Sequence, residues 1–402
     1  MAGDPIDEGD RLLVLGAGPA QLGLLEAARE RGLFTIAVDR DPAAPGFRYA
    51  DRRAIVSTED EPAIERLASA VSIDGVIAPG IDWPVAIAAR IADRLALPHP
   101  ISPAVAVLAT SKLRQRERFA EAGVPQPLSR VYNGPGDEVG FPCVVKAPDR
   151  QGQKGLAIVR ERSELEAAVE AARAASRSGA CLVEELVDGP EVTVVGFSTG
   201  GEFVPLTVTD RLTADPPAFG VALAHVFPSE AADPRVVDAA RSAAEALGIE
   251  DGPTYTQIRI GPKGPQVIEL AARLGGGHDA ELCRAVTGVD LNGLALASAL
   301  GKPIERPEPR ALGAGCVRFL VAPPGLLGSV EGIDEARALD GVVDVRLYRE
   351  SGYVFGPLRR GTDRAGAVLA VGESRGEALA RADRAAERIR FVPADAGALV
   401  ET

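Results

Sequence analysis

Phe141-Pro-Cys-Val-Val-Lys146-Ala-Pro-Asp-Arg-Gln-Gly152-Gln-Lys154-Gly155-Leu-Ala-Ile-Val159 is two apolar runs of strand length joined by a loop of glycines and lysines. Glycine lets a backbone approach closely, so such a loop can lay main-chain N–H groups and two ammonium groups over a polyphosphate. The stretch reads as a phosphate lid. A helix is expected from about Ser163 to Ser176, and then Cys181-Leu-Val-Glu184-Glu185-Leu-Val187-Asp-Gly-Pro-Glu191 gives a further strand running into a Gly-Pro turn. A strand edge offers main-chain donors and acceptors to a purine, and a carboxylate four residues past Val187 can accept from ribose hydroxyls. Residues 141–191 therefore read as one half of an ATP site.

Lysine usage sharpens the reading. The chain has only five lysines, Lys112, Lys146, Lys154, Lys263 and Lys302, among 44 basic residues. A sequence that handles surface charge almost entirely with arginine keeps lysine where a compact charge is wanted, such as between phosphate oxygens. Three of the five fall at candidate phosphate positions.

Composition sets bounds around that site. A length of 402 residues allows two or three domains, and 46% hydrophobic with 25% charged residues is ordinary for a globular protein. A net charge of −13 argues against a nucleic-acid or anionic-membrane surface, so an anionic nucleotide needs a local basic pocket. No apolar run approaches the roughly 20 residues of a membrane span. The opening Met1-Ala-Gly-Asp-Pro-Ile-Asp-Glu is acidic, unlike a secretory signal, and the expected compartment is the cytoplasm. Cys143, Cys181, Cys283 and Cys316 stand singly in apolar surroundings and read as reduced core residues.

Arg11-Leu-Leu-Val-Leu-Gly16-Ala-Gly18-Pro-Ala-Gln-Leu-Gly23 gives a strand, a glycine turn and a helix start, and Phe34-Thr-Ile-Ala-Val-Asp39 a second strand ending in a carboxylate. The pattern imitates a dinucleotide fingerprint, but Gln21 stands where the third glycine belongs and Gly23 comes two residues later. The structural alternative is glycines for close packing, with Asp39 toward cleft or solvent. Strands near Arg53–Val56 and Gly75–Ala78 continue an alternation that implies a parallel sheet wrapped by helices. Asp82 follows at the carboxyl edge, where it either faces substrate or caps a helix. Ser102-Pro103 opens a helical region expected to reach Gly123 with Lys112 inside it. Beyond Glu191, strands are expected at Val192–Phe197 and Glu202–Thr209, a loop-rich stretch at Asp210–Pro228, a helix at Pro234–Leu247, and a hairpin. The hairpin pairs Thr254-Tyr-Thr-Gln257-Ile-Arg-Ile260 with Gln266-Val-Ile-Glu269-Leu-Ala-Ala-Arg273-Leu-Gly-Gly-Gly277-His278. From Gly313 to Phe391 strands interleave with helices at Asp334–Leu339 and Arg375–Arg388.

Across residues 10 to 392 the chain resembles the ATP-grasp superfamily, and within it the carboxylate-amine ligases related to L-amino-acid ligases and carbamoyl phosphate synthetase. The fold implied is a Rossmann-like parallel sheet at residues 1–101, an ATP-grasp domain of two subdomains at 102–303 with a lid at about 125–188, and a C-terminal α+β subdomain at 304–402. Lys112, in Ser111-Lys112-Leu-Arg-Gln-Arg-Glu-Arg-Phe-Ala-Glu-Ala-Gly123-Val-Pro125, resembles the first nucleotide lysine and Lys146 the second. Glu184 matches the acceptor for the adenine amino group, Glu185 and Val187 supply main-chain contacts, and Glu191 matches the ribose ligand. Glu269 matches a magnesium ligand. The family usually has glutamate at its partner position, where this chain has Gln257, whose amide oxygen can coordinate without bringing charge. The superfamily's frequent asparagine two residues after Glu269 is Ala271, as in L-amino-acid ligases. Arg273 matches the arginine that binds the transferring phosphate. Asp210 and His225 become substrate-contact candidates by the same resemblance, and a hydrogen-bonded core histidine is the other reading of His225. Arg318 either meets a substrate carboxylate or forms a surface ion pair.

What the resemblance implies is a ligase. Lys112, Lys146, Lys154 and Mg2+ neutralise ATP, a substrate carboxylate attacks the γ-phosphorus, and an amine then attacks the acyl phosphate, releasing ADP and phosphate. Arg273 and the N–H groups of Gly275 to Gly277 would stabilise the developing charge, with Lys154 closing over the site on the glycine lid. The partners implied are a small-molecule carboxylate and an amine, with no nucleic acid and no membrane, and a homodimer is allowed. Two other readings stay open: a nucleotide-binding protein without ligase activity, motivated by Gln257, and an NAD-dependent oxidoreductase resting on residues 14–39 alone.

Overall fold

Four strands at the start of the chain build a parallel sheet: β1 (Arg11–Leu15), β2 (Phe34–Asp39), β3 (Arg52–Ile55) and β4 (Gly75–Ile77), in the order β3-β2-β1-β4, with β3 a largely exposed edge. The structure, a computed structural model, describes residues 7, 9–215, 218 and 220–394. The acidic opening octapeptide lies outside the described residues except for Asp7. The near-continuous apolar runs of β1 and β2 suit strands covered on both faces. Leu13 and Leu15 share a core with the helix Trp83–Arg94 on one face. Leu12 and Val14 pack on the other face with Leu24 and the helix Leu291–Ala299.

The glycine turn after β1 holds a side chain of its own protein. Gln21 is 1% exposed, donates from Nε2 to the Pro79 carbonyl at 2.5 Å, and lies against Gly16. Asp39, half-buried at the end of β2, accepts the Ala17 and Asp41 N–H groups with its two oxygens at 3.0 and 2.9 Å.

The lid is a four-stranded antiparallel sheet, β5 (Ser129–Val131), β6 (Cys143–Lys146), β7 (Leu156–Val159) and β8 (Leu182–Glu185), in the order β5-β8-β6-β7. Cys143, Val145 and Val183 point toward the helix Leu165–Ala175 and share a core with Leu165, Val169 and Ala172. Alternation along the strands then sends Lys146 and Glu184 to the opposite face.

The largest sheet follows. Its first strands are β9 (Glu191–Thr199), β10 (Glu202–Thr213), β11 (Ala222–Phe227), β12 (Gly252–Gly261) and β13 (Gly264–Ala271). The chain then adds β14 (Ala314–Leu320), β15 (Gly325–Glu331), β16 (Val342–Leu347), β17 (Val354–Phe355), β18 (Gly366–Gly372) and β19 (Arg390–Pro393). Eight strands join in the order β13-β12-β9-β10-β11-β14-β18-β16, so the sheet runs through the boundary expected at 303. Only β17, β15 and β19 form a small sheet apart. The stretch expected to be loop-rich is mostly strand, since β10 runs to Thr213 and β11 begins at Ala222.

The helical region from Pro103 is also broken. Thr110 ends one helix, and Ser111 caps a second, Lys112–Ala122, by accepting the Arg114 N–H at 3.5 Å. Lys112 is therefore the first residue of a helix rather than an interior one. All four cysteines are free and buried. No helix among the described residues is long and apolar enough to cross a membrane.

Candidate functional site

The helix Lys112–Ala122 ties the two sheets together. Its first residue puts an ammonium 2.6 Å from Glu269 on β13, and the same Nζ donates to the Arg150 carbonyl of the lid loop at 3.0 Å. One turn on, Arg116 stands 2.7 Å from Glu184 of the lid and donates to the Val267 and Ile268 carbonyls on β13 at 3.1 and 2.6 Å. Lys146 approaches the other oxygen of Glu184 at 2.5 Å. Residues from β6 and β8 on one side and β13 on the other thus converge on one cleft.

Charges in that cleft are closely balanced. Burial, the largest influence on Glu184, raises its pKa, yet Arg116 and Lys146 outweigh it and hold the carboxyl at about 2. Lys146 goes the other way: burial and the cations Arg116 and Lys112 prevail over Glu184 and bring it down to about 8. We take the pair as a firm carboxylate shared by two cations, with Lys146 the group that gives up its proton more readily. Glu269 is likewise kept ionised at about 2, because Lys112 overcomes the effect of burial. Lys154 sits exposed on the lid loop with its pKa lowered by burial and by the neighbouring Arg360, Arg150 and Arg40.

The nucleoside candidates already have partners. Glu191 pairs with Arg211 at 2.6 Å and with Arg259 at 3.4 Å. Glu185 is half-exposed and pairs with Lys263 at 2.7 Å, while the Val187 carbonyl accepts from Arg259 at 2.9 Å. Gln257 and Glu269 are direct partners across the β12–β13 ladder, so their side chains leave the same face. Among the described residues no group of three or more histidine, cysteine, aspartate and glutamate side chains is placed to hold a metal. A magnesium ion asks for less: hard oxygens, one or two of them from carboxylates, with phosphate and water completing the shell. Glu269 with the amide oxygen of Gln257 fits that requirement.

Arg273 is half-buried, donates from Nε to Asp82 at 2.8 Å, and has its guanidinium 5.4 Å from the Tyr255 ring centroid. Asp82 is therefore neither a side-chain cap nor a free carboxylate. The glycines beyond Arg273 wrap a buried carboxylate: Asp279 accepts the Gly277 N–H at 3.0 Å, and a Cβ on Gly275 would fall 2.1 Å from Asp279 Oδ2. His225 bonds the other oxygen of Asp279 at 2.8 Å and packs edge-on against Phe319. A Cβ on Gly276 would meet the Gly80 carbonyl at 3.2 Å, so this turn touches the N-terminal domain.

Strand register separates the other substrate candidates. Arg211 on β10 faces His225 on β11, which faces Val317 on β14. Asp210 and Arg318 belong to the alternate positions and lie on the opposite face. Asp210 accepts from Ser229 and Glu230 and pairs with Arg375 at 2.7 Å, and Arg318 pairs with Asp383 at 3.0 Å. Neither is brought to the cleft; both tie the sheet to the helix Arg375–Arg388.

Four participants carried no signal in a sequence rich in arginine: Arg116, Arg211, Arg364, and Asp82 as the partner of Arg273. Arg364 is the most informative. Its guanidinium lies 3.7 Å from the Phe319 ring centroid, it donates to the Gly361 and Ala222 carbonyls at 2.7 and 3.4 Å, and burial lowers its pKa. Among the described residues no carboxylate pairs with it. Nearby, His278 bonds the Tyr348 hydroxyl at 2.6 Å and is held neutral, with burial and Arg346 bringing its pKa to about 3.

Comparison with known proteins places this geometry in context. Residues 139–281 match the ATP-grasp domain and residues 318–393 the L-amino acid ligase C-terminal domain 2. The uncharacterized protein y4rH of Sinorhizobium fredii is 30% identical over 386 residues, covering 91% of this chain and 79% of that protein. The L-amino acid ligase from Bacillus licheniformis superposes with a TM-score of 0.82 at 21% identity, over 97% of this chain and all of that one. The biotin carboxylase domain of Hydrogenobacter thermophilus 2-oxoglutarate carboxylase, solved with MgADP, ADP and bicarbonate, superposes with a TM-score of 0.81 at 19% identity, over 96% and 91%.

Proposed function

The chain belongs to the ATP-grasp superfamily, and from that membership we propose that it joins a carboxylate to an amine through an acyl phosphate, converting ATP to ADP and phosphate. The single observation that carries the reading is the helix Lys112–Ala122, whose Lys112 and Arg116 join Glu269 of the large sheet to Glu184 of the lid. Two sheets sharing one run of buried charge make a cleft suited to a triphosphate.

In this reading Lys112, Lys146 and Lys154 hold the phosphates, and Glu184, Glu185, Val187 and Glu191 hold the nucleoside. Several of these side chains exchange a protein partner for the ligand, as Lys146 does when a phosphate takes the place of Glu184. Glu269 and Gln257 hold Mg2+, which when bound screens the charge of the phosphates. A substrate carboxylate oxygen bonds to the γ-phosphorus as the bond to the bridging oxygen breaks, and ADP leaves with the electron pair. The amine then bonds to the acyl carbon and loses a proton, and phosphate departs. In the same reading Arg273 and the N–H groups of Gly275 and Gly276 stabilise the charge that builds up on the oxygens. A guanidinium buried without an anion is costly. Arg364 therefore favours a substrate with a carboxylate beyond the reacting one, as an amino acid pair provides.

The test is ATP-dependent phosphate release on adding amino-acid pairs, with hydroxylamine present to trap the acyl phosphate. Hydroxamate formed in step with ADP supports the ligase, and no release across a broad panel of acids and amines sinks it. Gln257 favours a second reading, a nucleotide-binding protein without turnover. That reading expects heat on titration with ADP and magnesium, and no product with any pair.

A further inference from the structure

The lid touches the N-terminal domain through contacts that phosphate binding does not require. Arg177, just past the helix Leu165–Ala175, has its guanidinium 4.0 Å from the Trp83 ring centroid and 2.6 Å from Glu59. Arg177 is fixed to the rest of the lid by Asp149, whose Oδ1 accepts its N–H at 3.0 Å and whose carbonyl accepts from its Nη1 at 2.9 Å. Two residues along the same loop, the Gln151 Oε1 accepts the Asp82 N–H at 2.7 Å. Asp82 thus meets the lid with its backbone, while its carboxylate holds Arg273 at 2.7 Å.

We propose that Asp82 and Trp83 form a latch that reports lid closure to Arg273. Arg177 docks on Trp83 and Glu59, Gln151 docks on the Asp82 backbone, and the carboxylate so fixed aims the guanidinium that meets the transferring phosphate. Asp82 is a positioning residue, acting through Arg273. The chemistry explains the parts. A planar guanidinium can stack on an indole and pair with a carboxylate at once, and both contacts break when the lid lifts. An arginine aimed only under a shut lid delays phosphoryl transfer until water is excluded, which protects an acyl phosphate.

Trp83 is the only tryptophan in the chain, so its fluorescence is a direct probe. With saturating ADP and magnesium, acrylamide quenching of Trp83 should fall about twofold or more as the lid shuts. Arg177→Ala should abolish that protection, and Arg177→Lys, which keeps the charge but not the plane, should retain part of it. Asp82→Asn should keep the protection but lower kcat about tenfold or more through loss of aim, with KM for ATP within about threefold of the unaltered protein. Quenching that ignores nucleotide, full protection in Arg177→Ala, or an unchanged kcat in Asp82→Asn would overturn the latch. The kinetic arm rests on the ligase reading; if the unaltered protein turns over no pair, that reading fails and the quenching arm alone decides the latch.

Discussion

Lys146 is the side chain whose chemistry should be easiest to see in solution. With its pKa brought to about 8 by burial and nearby cations, it is part-neutral in mildly alkaline buffer. Phosphate oxygens favour the charged form, so nucleotide binding must raise the pKa and take up a proton. The sign follows: affinity falls as pH rises through about 8, and it is level at lower pH where Lys146 is already charged. Calorimetry in two buffers of different ionisation enthalpy should give uptake of about half a proton per ADP near the midpoint and almost none two units lower. Lys146→Met should remove the uptake; if uptake persists, another group is responsible. Gln257→Glu makes a second prediction, because a second carboxylate across the ladder from Glu269 adds charge to the ion's shell. The magnesium needed for half-maximal activity should drop about tenfold, and without the ion the two carboxylates should repel and lower the melting temperature. Lysine was legible because it is scarce; arginine was not. Arg211, Arg116 and Arg364 differ from dozens of others only in what the fold places beside them, which residue identity does not carry.

Strands and helices were readable from apolar runs and turn residues, and most begin and end within a few residues of expectation. Their facing was not. Asp210 and Arg211 are adjacent in β10, and the ladder sends one to the helix Arg375–Arg388 and the other to Glu191. That choice depends on register with β9 and β11, and β10 carries a shift against each. A one-residue slip exchanges the two faces. The glycine turn after β1 teaches the same lesson. Gly23, which fails the spacing of a dinucleotide fingerprint, is required by a different helix: a Cβ there would lie 1.2 Å from Glu281 Oε1 and 3.2 Å from the Arg346 guanidinium. Gly23→Ala should displace Glu281 and cost about 1–3 kcal/mol of stability by overpacking. Gly376→Ala, with no atom within 4 Å of the added methyl, is the control and should be neutral or slightly stabilising. Thermal melting of both decides it, and equal melting temperatures would remove Glu281 as the reason for Gly23.

Proline clusters at 98–103 and 303–309 suggested three bodies in a row. The chain instead builds cores that cross those marks, because the pairing of β11 with β14 joins residues nearly a hundred apart and no local pattern announces it. Arg346 shows what the joining costs and gains. Its guanidinium meets Glu26 of the N-terminal domain at 2.6 Å, Glu281 at 3.2 Å and Asp344 at 2.5 Å, so one side chain clamps three parts of the molecule. Burial pushes the pKa of Glu281 up, and Arg346 is the main force opposing it. Removing the clamp with Arg346→Met leaves a buried carboxylate without its cation, a change worth about 3–5 kcal/mol in comparable sites. The loss should depend on pH. In the variant Glu281 would hold its proton when folded and release it when unfolded, so the folded state binds more protons between the two pKa values. Stability of the variant relative to the unaltered protein must therefore decline as pH rises from about 5 toward 8. Scanning calorimetry at both ends of that range tests the clamp. A larger deficit at the alkaline end, with the three parts still melting together, is the expected result, and a deficit independent of pH would mean that Glu281 does not depend on Arg346.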